Sequence, residues 1–189
     1  MNVEKMRTSA LDLVYLVKCA VDGVVPDKER IAKTDLVDVR HISEKHMLSS
    51  AAAYALESAG IKDADFEKDK AAAIWLTMQY DHYREEIFDA LDKRGIWYLL
   101  LKGAVIKDWY PEYSMRQMAD NDILIDGSRR EEVREVMEEL GFKVESFGRG
   151  THDVYQLPPQ LDFEMHVILF GAFVLPRVTE YYENIKERL

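Results

Sequence analysis

Two aspartates, Asp120 and Asp122, stand two positions apart at the head of the apolar run Asp122 to Ile125. If that run is a β-strand, its period of two puts both carboxylates on one face, within a few ångströms of each other. Close carboxylates repel unless a cation lies between them, and a hard divalent ion is the natural partner. In a chain this acidic, residues that merely solvate a strand end explain the pair just as simply. Further on, Asp162, Glu164 and His166 alternate with Phe163, Met165 and Val167. One face of an otherwise apolar strand therefore carries acid, acid and imidazole. A glutamate facing the two aspartates would complete a three-carboxylate metal site, whereas a strand at an open sheet edge would simply expose that face to water.

A third candidate is Lys102-Gly103-Ala104, at a strand-to-helix junction. Glycine there lets backbone N–H groups approach an anion, and the start of a helix favours phosphate, although a tight turn also wants glycine. Arg116, in the loop before Asp120, can balance the charge of a triphosphate or be an ordinary surface arginine. His166 shares a face with Glu164. It either orients that carboxylate or an acceptor, or is a half-buried structural histidine. His152 is a further candidate, while His41 and His46 fall on a helical surface pattern. HExxH, Walker A and GxGxxG patterns are all missing, since Gly148-x-Gly150 lacks the third glycine and the following helix.

These residues must be positioned by two kinds of sequence. Up to residue 95 the pattern is helical. Leu13, Val14, Val17, Val21 and Val24 predict one stripe, closed by Gly23 and Pro26. A second helical region runs from about Leu36 to Leu56, with a break near Met47 to Ser50 and a stop at Gly60. A third, from about Asp65 to Arg94, buries Leu76, Tyr80, Tyr83, Ile87 and Leu91 and closes at Gly95. After that the period changes. Ile96 to Leu101 reads as a strand buried on both faces, Ala104 to Trp109 as a short helix, and Glu112 to Ala119 as a loop. Ser128 and Glu131 read as a capping box for a helix whose apolar face is Val133, Val136, Met137 and Leu140. Three strands follow as a meander, 142–147, 153–157 and 161–170, with turns at Gly148-Arg149-Gly150 and Pro158-Pro159. The last segment, 179–189, reads as helix without a stop signal, as expected for a piece of a longer chain.

Composition bounds the function. In 189 residues the formal charge is −10, which argues against a general nucleic-acid coat or an anionic-membrane binder, since both need a basic face. An apolar fraction of 48% excludes a disordered chain, and a single cysteine, Cys19, excludes a disulfide scaffold. Asp12, Lys18 and Asp22 interrupt the most apolar N-terminal stretch, and no run is long enough to span a bilayer. A soluble protein of a reducing, cytoplasmic compartment is expected, with a helical region at 1–95 and an α/β core at 96–189.

Taken together, the segments Leu99 to Pro111 (LLLKGAVIKDWYP), Met115 to Ile125 (MRQMADNDILI) and Leu161 to Leu169 (LDFEMHVIL) resemble, in order and spacing, uncharacterised bacterial nucleotidyltransferases of the DNA polymerase β-like superfamily. The "THDVY" segment with His152 is similar too, while Gly103-Ala104 replaces the superfamily's usual Gly-Ser or Gly-Gly. The resemblance implies an α+β fold, a mixed β-sheet with flanking helices, and a further C-terminal region in many relatives. It implies that Asp120, Asp122 and Glu164 hold two Mg²⁺ ions roughly 3.5–4 Å apart, that Lys102, Gly103, Ala104 and Arg116 bind the NTP, and that Glu164 takes the acceptor's proton. The implied reaction moves a nucleoside monophosphate from an NTP to a hydroxyl acceptor, whether small molecule, protein or RNA, and releases pyrophosphate. The alternatives are a catalytically inactive nucleotide-binding or protein-interaction relative, a toxin-like enzyme modifying tRNA or protein, and a metal-dependent phosphohydrolase.

Overall fold

Helix formers punctuated by glycine stops account for the first half of the chain. The computed structural model describes residues 3–159, 161–171, 176–182 and 185–188. Helix α1 (Val3–Asp22) is followed by α2 (Lys28–Ile31), α3 (Leu36–Lys45), α4 (Ser49–Ser58) and the long α5 (Ala64–Lys93). Gly23, Gly60 and Gly95 all take positive φ, the left-handed conformation that closes a helix at least cost to glycine. The break between α3 and α4 falls at Met47, also at positive φ.

The buried face of α1 is not the valine stripe. Ser9, Leu13, Leu16 and Cys19 are inside, while Val14, Val21 and Val24 are largely exposed. Both sets recur at helical spacing. Packing against α3 and the alanine-rich α4 selects the face that carries Leu13 and Leu16. In α5 the inside positions are Phe66, Ala73, Thr77, Tyr80, Arg84, Ile87 and Leu91, with Leu76 and Tyr83 only half-buried.

Two compact units divide the chain, Met1–Gln79 with Gly103–Ala119, and Tyr80–Lys102 with Asp120–Leu189. In the first, Leu13, Leu16, Val39, Ile42, Leu56 and Phe66 belong to one apolar cluster. Its 103–119 segment is tied to α4 by polar contacts. Ser50 N–H donates to Gln117 Oε1 at 3.0 Å, and Tyr54 donates its hydroxyl proton to the Tyr113 carbonyl at 2.8 Å.

The second unit holds a mixed five-stranded sheet: β1 (Tyr98–Leu100), β2 (Asn121–Ile125), β3 (Lys143–Ser146), β4 (His152–Leu157) and β5 (Leu161–His166), in the order β1-β2-β5-β4-β3. Strands β2 and β5 run parallel and the other neighbours antiparallel. A parallel pair needs a crossover, supplied here by α7 (Arg130–Glu139) and the β3–β4 hairpin. The second half of α5 covers one face through Tyr80, whose ring meets Phe163 edge-on at 5.6 Å, and through Tyr83, which meets Phe142 at 5.6 Å. This is the α+β class, a mixed sheet with flanking helices.

Several local expectations are corrected. β1 is half-buried rather than covered on both faces, because it is an edge strand with a neighbour on one side only. The Ser128–Glu131 capping box does not form. Asp126 lies closer to the turn and accepts from both the N–H and the hydroxyl of Ser128, and Arg129 precedes α7 without a side-chain cap. β5 ends at His166 rather than at Phe170. The C-terminal stretch contains α8 (Pro176–Tyr182) and α9 (Ile185–Arg188), and positions 183, 184 and 189 of the expected helix lie outside the described residues. No helix among the described residues is long and apolar enough to cross a membrane.

Candidate functional site

Strand register builds the site. Parallel pairing of β2 with β5 sets Asp122 beside Glu164 and Leu124 beside His166. Antiparallel pairing of β4 with β5 sets His152 opposite His166 and Val154 opposite Glu164. Side chains alternate along each strand, so Asp122, Glu164, His166 and His152 share one face of the sheet, while Phe163 lies on the other, against Tyr80 and Phe142.

The distances are short. Lys102 Nζ donates to Asp122 Oδ1 at 2.6 Å, and His166 Nε2 lies 2.8 Å from the same oxygen. His166 Nε2 is also 3.4 Å from Glu164 Oε2, and His152 Nε2 is 3.7 Å from that oxygen. The other ring nitrogen of His152, Nδ1, sits 3.2 Å from Thr151 Oγ1. Lys102 reaches Asp122 because Leu101 N–H donates to the Asp122 carbonyl at 3.0 Å, extending the β1–β2 ladder by one residue. Lys102 itself sits at φ +47°, a left-handed conformation that costs a non-glycine residue about 1 kcal/mol or more.

Electrostatics decides the charge states. Burial pushes the Asp122 carboxyl up, but hydrogen bonds from His166 and Lys102 outweigh it and hold the group below its ordinary range. Burial works against the Lys102 ammonium, yet its bond to Asp122 and the charges of Glu164 and Asp120 hold it above its ordinary value. Both protein contacts of Asp122 fall on Oδ1, and among the described residues Oδ2 has no partner. A carboxylate with one oxygen anchored and the other unused, beside a second carboxylate, suits a divalent cation.

Asp120 lies just before β2 and is half-buried. Its carbonyl accepts from Asn121 Nδ2 at 3.1 Å, and Asn121 Oδ1 accepts from Arg84 Nη1 at 2.6 Å. Arg84 is buried and also pairs with Asp81. This support was missed in the sequence, where its signal was a cation within the inward face of α5. Among the described residues, the metal-ligand atoms that fall within 4.8 Å of one another are those of His152, Glu164 and His166, rather than the set Asp120, Asp122 and Glu164.

The remaining candidates lie in the first unit. Gly103 and Ala104 are in α6 (Lys102–Ile106), a helix of only five residues, and Ala104 is buried. A Cβ at Gly103 would stand 3.4 Å from Arg116 Nη2 and 3.5 Å from Met118 Cγ, ordinary contact distances, so the guanidinium lies beside this turn without requiring glycine there. Arg116 Nη1 donates to the Gln117 carbonyl at 2.5 Å. His41 and His46 are exposed.

In the second unit, a cleft of about 510 Å³ is lined by Trp97, Leu124, Val167, Phe170, Tyr182 and others. Its walls are mainly apolar, with Asp126 and Lys186 its titratable acid and base, and it includes none of Asp122, Glu164, His152 and His166. No curated protein and no solved structure matches the chain. A family model described as "Uncharacterised nucleotidyltransferase" matches residues 33–186, and the chain belongs to that family.

Proposed function

We propose that the protein is a divalent-metal-dependent nucleotidyltransferase that moves a nucleoside monophosphate from an NTP to a hydroxyl acceptor and releases pyrophosphate. The observation that carries this reading is the side-by-side register of Asp122 and Glu164, with the Lys102 ammonium 2.6 Å from Asp122 Oδ1. Asp120, Asp122 through Oδ2, and Glu164 are the oxygen donors that would hold Mg²⁺. When bound, the metal supplies Lewis-acid stabilisation of phosphoryl oxygens and a more acidic acceptor hydroxyl. Lys102 and His166 both hold Asp122 through Oδ1, which leaves Oδ2 for the metal. Glu164 accepts the proton of the attacking hydroxyl, and Lys102 offers a positive charge for the phosphates. Gly103, Ala104 and Arg116 keep, as our assignment, the phosphate-binding role that the resemblance implies.

The family membership and the pair of facing carboxylates support catalysis over a merely binding role. Incubation with each NTP labelled on the α-phosphate, with Mg²⁺ and a cell extract as acceptor source, should give label transfer and pyrophosphate. Asp122→Asn should lower that transfer by about 100-fold or more while the protein stays folded. Undiminished metal-dependent transfer in Asp122→Asn would overturn the reading.

A further inference from the structure

We propose that His152 Nε2, Glu164 Oε2 and His166 Nε2 form a binding site for a first-row transition-metal ion of the zinc class. The inference goes beyond the reading above: it places a second cation on Glu164 Oε2, leaves Oε1 to the Mg²⁺ site, and is tested without nucleotide.

Geometry is the first argument. Two ligands each about 2.1 Å from one ion stand about 3.4 Å apart at tetrahedral angles and about 3.0 Å apart at octahedral ones. His166 Nε2 and His152 Nε2 lie 3.4 and 3.7 Å from Glu164 Oε2, nearer the tetrahedral spacing. One ligand atom from each of the three residues falls within 4.8 Å of the other two, so small side-chain rotations bring them to one ion. The donor set is the second argument. Two imidazoles and one carboxylate suit zinc and its neighbours, whereas magnesium prefers oxygen alone. Three protein ligands leave a fourth position open to water or to a substrate oxygen.

Surrounding contacts supply the third argument. Thr151 Oγ1 lies 3.2 Å from His152 Nδ1 and can accept its proton, which leaves Nε2 as the lone-pair nitrogen facing Glu164. His166 is 8% exposed and the strand pairing fixes its ring, 4.9 Å from that of His152. In the metal-free protein His166 Nε2 shares its proton with Asp122 Oδ1 at 2.8 Å. The metal takes that proton's place, and Lys102 remains to balance Asp122.

Titration of the metal-free chain with Co²⁺ provides the test, because tetrahedral cobalt absorbs strongly in the visible region. One equivalent should bind with that absorption, Zn²⁺ should displace it and Mg²⁺ should not. His152→Ala and Glu164→Gln should weaken binding by at least about 100-fold, and Asp120→Asn should retain it. His152→Gln, which keeps a side chain of similar size, is measured alongside, with circular dichroism of each variant to show folding. Absence of the visible band overturns the site, as does a band that survives in both folded His152 variants or disappears with Asp120→Asn. Either failure leaves the Mg²⁺-dependent label transfer standing, and a failure of label transfer leaves the cobalt result standing.

Discussion

Lys102 combines a strained backbone with an ammonium on a nearly buried carboxylate, and the two effects can be separated by substitution. Lys102→Met removes the charge and keeps the unfavourable φ, whereas Lys102→Gly removes both. The glycine variant should be the more stable of the two by about 1 kcal/mol in thermal or urea unfolding, and both should lose transfer activity. The pH dependence has a defined sign. Asp122 is held below its ordinary value, so its contribution to stability is present above about pH 3.9, the unfolded value, and is lost as pH falls through the folded one. Burial persists in Lys102→Met while one of the two opposing hydrogen bonds is gone. The carboxyl then titrates higher, and the acid limb of a stability–pH profile should move to higher pH. An unmoved acid limb would show that His166 alone sets the charge of Asp122.

At the scale of elements, the alternation in β5 separates packing from chemistry. Phe163 is fully buried between Tyr80 and Phe142, and Phe163→Ala should cost about 3–5 kcal/mol. Asp162→Ala, on the half-buried polar face, should cost far less by the same unfolding measurement. Asn121 is wholly buried and passes the Arg84 guanidinium's hold on to the Asp120 carbonyl. Asn121→Ala should therefore destabilise by about 1.5–3 kcal/mol, the range for hydrogen bonds to charged groups.

These elements also mark what the sequence could disclose. Period-two alternation in LDFEMH and the apolar DILI run identify strands from neighbours in the chain, and glycines 23, 60 and 95 mark helix ends because left-handed closure is a local need. The register that sets Asp122 beside Glu164 and His152 beside His166 comes from strand order, which no local pattern encodes. The same limit explains the stripe of α1, where two helical faces competed and the partner helices chose. Arg84 was legible only as an anomaly, since its partner Asn121 lies far along the chain.

For the whole molecule, the family match begins at residue 33 and leaves α1 outside, yet Leu13 and Leu16 of α1 are buried in the first unit's core. Leu16→Ala should cost about 2–5 kcal/mol and lower the melting temperature, which would show that α1 is integral to that unit rather than an appendage. The net charge of −10 makes the cationic Lys102 beside three acidic neighbours a local exception, so raised salt should weaken triphosphate binding only modestly. Finally, the parallel pairing of β2 with β5 places α7, β3 and β4 between Asp122 and Glu164 in the chain. During synthesis the aspartates leave the ribosome well before the glutamate and histidines that face them. A nascent polypeptide stalled before β5 lacks one side of this juxtaposition, which comes into being only when β5 slots between β2 and β4.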